Sequence, residues 1–194
     1  PVKELEPAEF IVTYSLSYQQ DSLTPHFTRQ EDQILFIGKH VSMYLSRNAY
    51  NFEKNTRNLN LGAGLQEYLY TRPAIPHNLI RIYKNLPKGK LTFTDYVSPN
   101  TFKFEEPLNL FDWKLSGDTA IIHGYKVQKA TCDFGGRSWV AWFCPEIPYS
   151  DGPYKFNGLP GLILNVHDSR NHYVFEFLSI EKPKEELMIE YLER

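Results

Sequence analysis

Two runs of β-type residues on either side of Gly135-Gly136 constrain this chain more than any other feature. DTAIIHGYKVQKATCDF ends at Phe134, and RSWVAWFCPEI begins at Arg137. A two-residue turn with positive φ at both central positions is a favoured antiparallel connection, and glycine takes that conformation at no steric cost. The spacing predicts a long hairpin with Phe134 opposite Arg137, Cys132 opposite Trp139, Ala130 opposite Ala141 and Lys129 opposite Trp142. Apolar residues fall at odd numbers through 121, 125 and 127, then at even numbers through 130, 132 and 134. A β-bulge near 128–129 accounts for the switch. In this register Cys144 lies about 17 Å along the ladder from Cys132. A disulfide needs Cα atoms within about 7 Å, so the two cysteines are expected to be free.

The same alternation recurs along the chain. FIVTYSLSY (10–18) places Phe10, Val12, Tyr14, Leu16 and Tyr18 on one face. QILFIGKHVSMYLS (33–46) reads as two short strands around Gly38-Lys39, with Gly38 expected at positive φ. LIRIYK (79–84), KLTFTDYVS (90–98) and TFKFEEP (101–107) read as further strands. LILNV (162–166) and HYVFEFLSIE (172–181), joined through DSRN, form a second hairpin. Residues 50–78, with two glycines and two prolines, read as an irregular excursion holding at most a short helix. At the end, Leu187, Met188, Tyr191 and Leu192 recur at helical spacing after Pro183, which predicts a short helix or a frayed tail. No repeat or linker divides the 194 residues, so one domain, 1–194, is expected. The fold class is mainly β: a strongly curved antiparallel sheet or half-barrel with minor helix.

Charge and hydropathy exclude whole classes. The net charge is −2, and no basic stripe exists to neutralise phosphates, so a nucleic-acid partner is not expected. No apolar run approaches the ~18 residues of a membrane-spanning helix, so no transmembrane segment is expected. Pro1 is not preceded by a charged and apolar leader, which suits a cytoplasmic chain or a mature one whose signal has been removed.

Gly158-Leu159-Pro160-Gly161-Leu162-Ile163 carries a family resemblance. With the GY and KA of HGYKVQKA, the GR and AWF of FGGRSWVAWF, the IP of PEIP, the GP and F of GPYKF, and the upstream LFIGKHVSMYLS, it resembles the GLPGLI family. These are secreted or periplasmic proteins of Bacteroidetes-type bacteria. The resemblance covers most of the chain. It implies a secreted or cell-envelope protein, its signal peptide absent here, that accompanies an outer-membrane transport system. The strand pattern is also similar to that of half-barrel lipoprotein carriers. The resemblance assigns no reaction.

The chemistry-bearing residues point the same way. The glycine-rich stretch 152–164 lacks the Gly-Lys-Ser/Thr and following helix of a phosphate loop. Leu159-Pro160-Gly161-Leu162 instead carries proline and glycine where a type II turn needs them. The six histidines show no metal-ligand spacing; His167, Asp168 and His172 read as a solvated turn, and neither metal nor cofactor is expected. No G-x-S-x-G elbow is present, and no catalytic residues are assigned. What remains is binding. Trp113, Tyr125, Lys129, Arg137, Trp139 and Trp142, with Tyr154, Lys155 and Phe156 of the adjoining loop, form an aromatic and cationic concentration. These rings read either as core or as the wall of a groove for an apolar ligand or for an envelope partner protein such as an outer-membrane transporter. An envelope hydrolase or peptidase with a loop-borne Cys or His site is the alternative.

Overall fold

The computed structural model describes residues 2–19, 28–57, 76, 78–97 and 99–192. Their strands are β1 (Val2–Gln19), β2 (Thr28–Gly38), β3 (Ser42–Ser46), β4 (Arg81–Lys84), β5 (Lys90–Val97) and β6 (Asn100–Pro107). β7 (Lys114–Ile122), β8 (Tyr125–Phe134), β9 (Arg137–Cys144), β10 (Leu162–Asp168), β11 (Tyr173–Glu181) and β12 (Met188–Leu192) follow. One helix, α1 (Arg47–Arg57), interrupts them. The strands form a single sheet in the order β6-β5-β4-β3-β2-β1-β11-β10-β9-β8-β7, with β12 paired to β1 off this path. Every ladder is antiparallel.

The sheet is strongly curved. Asp95 of β5 and Phe134 of β8 line one cavity, although eight strand spacings, about 38 Å in a flat sheet, separate their strands. The order ends at β6 and β7 without closure, which is a half-barrel. The concave face holds the main core, including Val12, Tyr14, Leu35, Tyr44, Ile82, Leu91, Phe143 and Phe177. Alternate residues of β2, β3 and β4 point outward to a second cluster, Ile34, Phe36, Met43, Leu45 and Tyr83, covered by Tyr50 of α1 and Ile189 of β12. β3 and β4 are therefore buried along their whole length. The Ser46 hydroxyl accepts the Ala49 amide at 3.0 Å, a side-chain cap that starts α1, and Lys54 and Arg57 complement its C-terminal end.

The central hairpin stands in the predicted register: Phe134↔Arg137, Cys132↔Trp139, Ala130↔Ala141 and Lys129↔Trp142. Gly135 and Gly136 have φ of 60° and 72°. The irregularity expected at 128–129 falls on the partner strand instead: β8 pairs with β9 without a shift, and the extra residues belong to β7. There β7 pairs Leu115 with Ala130 and Thr119 with Gln128, so residues 116–118 stand opposite Lys129. The segment before Gly135 is two strands, since His123-Gly124 makes a second tight turn with φ of 48° and 84°. Both cysteines are free and buried.

Three expectations are corrected. The C-terminal segment is a strand, β12, because Leu187, Ile189 and Tyr191 alternate into the outer cluster while the backbone pairs with the start of β1. Gly38 is absent from the residues with positive φ. Its role is clearance, since an added Cβ would stand 2.9 Å from the Val41 carbonyl oxygen and against the Glu6 carboxylate. That carboxylate accepts the amides of His40 and Val41 at 2.7 and 2.6 Å and organises the β2–β3 turn. The third correction concerns Leu159–Leu162 and is taken up with the loop below. Most of the excursion expected at 50–78 lies outside the described residues; its first part is the end of α1.

Candidate functional site

The chain between β9 and β10 enters the concave side of the sheet and is held there by its own backbone. Lys84 of β4 is buried, and its ammonium donates to the Asp151 carboxylate at 2.5 Å, the Gly152 carbonyl and the Phe156 carbonyl at 3.1 Å. All three ammonium protons are thus placed. Burial pushes the Lys84 pKa down, against the opposing charge and hydrogen bond of Asp151. The Trp113 indole N–H donates to the Asn157 carbonyl at 2.8 Å. Lys155 donates to Glu106 of β6 and lies 5.0–5.8 Å from the ring centroids of Phe104, Phe93 and Tyr154. Phe156 is fully buried, edge-on to Trp139 at 4.7 Å.

The loop's exit departs from a type II turn. The Gly161 amide donates to the Leu159 carbonyl at 2.8 Å, a three-residue turn about Pro160, and the Leu162 amide goes to Ile147 instead. Gly161 has φ 149°, and a Cβ there would stand 2.2 Å from the Cys144 carbonyl oxygen. The glycine is needed for close approach to β9 as well as for its backbone angle. Leu162, Ile163 and Leu164 then start β10 fully buried. The hexapeptide residues Gly158, Leu159, Pro160, Gly161, Leu162 and Ile163 therefore serve backbone geometry and core.

Beside this loop lies a cavity of about 500 Å³, within the range of small-molecule sites. Its walls are aromatic. Tyr18 stacks on Tyr173 with centroids 6.4 Å apart, Tyr154 stacks on Phe175 at 6.4 Å, and Trp139 meets Tyr173 at 6.5 Å. Tyr154 sits at φ 53°, an uncommon conformation for a residue with a side chain, held by the Lys84 and Lys155 anchors on either side of it. Burial, then the charge of Glu106 and the neighbouring Tyr173, raises its pKa.

Four polar residues, Gln33, Asn78, Asp95 and Arg137, join the rings. Arg137 donates to the buried Asp168 carboxylate at 2.7 Å and lies over the Tyr173 ring at 5.0 Å. His172 approaches Arg137 at 3.3 Å, so the expected turn cluster of Asp168 and His172 is organised by an arginine. Among the described residues, no group of histidine, cysteine and carboxylate side chains has the geometry of a metal site.

Tyr44 is the exception in this network. Its side chain is 4% exposed and lines the cavity, and its hydroxyl makes no hydrogen bond among the described residues. Burial, followed by the charge of Glu31, raises its pKa well above the ordinary value. The contrast is Tyr14, equally buried, whose hydroxyl donates to the Ile163 carbonyl at 2.8 Å. A buried hydroxyl left unpaired costs about 1–3 kcal/mol.

Of the residues singled out from sequence, the structure brings Arg137, Trp139 and Tyr154 to the cavity wall. Phe156, Trp113 and Lys155 stand behind the wall and hold the loop. Tyr125, at the start of β8, packs edge-on to Phe177 at 5.9 Å. Lys129 and Trp142 pair away from the cavity, with the ammonium 6.0 Å from the indole centroid and 3.2 Å from Asp118. Sequence reasoning missed Tyr18, Gln33, Tyr44, Asp95, Tyr173 and Phe175. One signal was readable: in Leu91-Phe93-Asp95 a charge continues an inward apolar stripe.

Residues 136–165, which span β9, the inserted loop and the first part of β10, match the model of a family described as "Protein of unknown function (Porph_ging)", a Bacteroidetes-associated family. No curated protein matches the chain. Among solved structures, the chain is similar to PNGF-II in two crystal forms. In the P21 form the TM-score is 0.62 at 16% identity, over 93% of this chain and 29% of PNGF-II. In the C2 form it is 0.62 at 17% identity, over 93% of this chain and 28% of PNGF-II. The chain spans less than a third of PNGF-II's length, and at this identity the likeness is one of fold.

Proposed function

We propose that this chain is a non-catalytic binding protein whose ligand enters the half-barrel cavity between Tyr18, Trp139 and Tyr154. The observation that carries the reading is a 500 Å³ space with aromatic walls and four polar residues. A packed core closes such spaces. A ligand with an apolar body and a polar group matches this lining. The resemblance carried by the hexapeptide supports reading the protein as a cell-envelope companion of an outer-membrane transport system.

The hydrolase alternative draws no support from the thiols. Burial, with the charges of Asp133 and Asp112, pushes the Cys132 pKa up to about 12, and Cys144 is fully buried. A thiol so poorly ionised is a weak nucleophile.

Native mass spectrometry of the protein isolated from its own cells tests the binding reading. A co-purifying small molecule is expected, lost in a Trp139→Ala variant that still folds. Retention of the same molecule by that variant would place its site elsewhere and overturn the reading.

A further inference from the structure

We infer that the cavity is selective for an organic cation, an amine carried on a flat apolar body, with Asp95 as its counter-charge. The inference rests on reading the cavity as a binding site and names the ligand's chemistry. Asp95 lines the cavity on the inward phase of β5, yet its carboxylate makes no hydrogen bond or ion pair among the described residues. The cation on the same wall, Arg137, is committed to Asp168 at 2.7 Å, and that pair is electrically balanced. Among the described residues lining it, the cavity therefore carries one uncompensated negative charge.

Two features match a cationic guest. A half-buried carboxylate beside ring walls attracts a positive charge more strongly than one in open water, because the walls displace part of the surrounding solvent. The rings present faces that attract ammonium groups and flat surfaces that stack on an apolar body. Among the described lining residues the one cation, Arg137, is already paired with Asp168, so an anion would meet Asp95 unopposed.

Calorimetric titration of the protein with tryptamine, tryptophol and N-acetyltryptamine tests the assignment. The three share an indole body and differ in charge. Tryptamine is expected to bind at least tenfold more tightly than either neutral probe, and Asp95→Asn is expected to erase that preference while leaving thermal unfolding unchanged. Comparing the probes on the unmodified protein keeps the test independent of how the variant folds. If the neutral probes bind as tightly as tryptamine, the cation assignment falls and the cavity reading stands. If none of the three binds, the cation assignment falls as well, and the co-purification experiment then decides the cavity reading separately. Preference for tryptamine that survives Asp95→Asn would remove Asp95 from the role.

Discussion

Gly161 shows how much a single hydrogen atom can decide. Replacing it with alanine puts a methyl group 2.2 Å from the Cys144 carbonyl oxygen and strains a backbone at φ 149°. Strain of this kind costs about 1–3 kcal/mol before the clash is counted. Urea unfolding of Gly161→Ala is expected to show at least that loss. Asp168 makes a pH-dependent prediction. Burial pushes its carboxyl up, but the Tyr173 amide at 2.9 Å and Arg137 outweigh that and hold it below the ordinary value. A lowered folded pKa means the unfolded chain binds the proton more readily, so the stabilisation is complete above about pH 4 and is lost as pH falls through the folded value. Asp168→Asn is expected to be less stable at neutral pH and to show a shallower acid limb, read from urea midpoints across that range. Gly161 was legible as a turn glycine from Pro160-Gly161. The approach to β9 was not, because it depends on where a distant strand ends.

At the scale of elements, the loop between β9 and β10 is fastened by a buried lysine from a strand more than sixty residues earlier. Lys84→Met leaves Asp151 buried and uncompensated, at an expected cost of about 3–5 kcal/mol. Adding Asp151→Asn removes the stranded charge, so the double variant is expected to recover part of that loss in denaturant unfolding. The strand pattern and the central register were readable from alternation and from Gly135-Gly136, since both are local. Residues 187–192 were misread because Leu187, Met188, Tyr191 and Leu192 suit a helix as well as a strand. The start of β1 decided the matter by offering backbone groups to pair with. The site was legible only where aromatic residues crowd one hairpin. Tyr18, Tyr44 and Asp95 come from β1, β3 and β5, and only the sheet's curvature brings them together.

Across the whole molecule, one concave core joins residues from both halves of the sheet, and both free cysteines lie within it. Exposing either thiol then requires the core itself to open. Labelling by a thiol reagent is expected to be slow in water and to accelerate with urea in parallel with loss of tryptophan fluorescence. Fast labelling of one cysteine in the native state would show that its strand opens independently. The inserted loop divides labour within this shell. Its glycines and proline close the wall, while the residues facing the open space are contributed by strands on every side. The most recognisable stretch of the chain is thus masonry. On the proposed reading, two chains with the same hexapeptide are free to hold different molecules, and Tyr18 and Asp95, only partly buried on the cavity wall, are the positions whose exchange changes what is held.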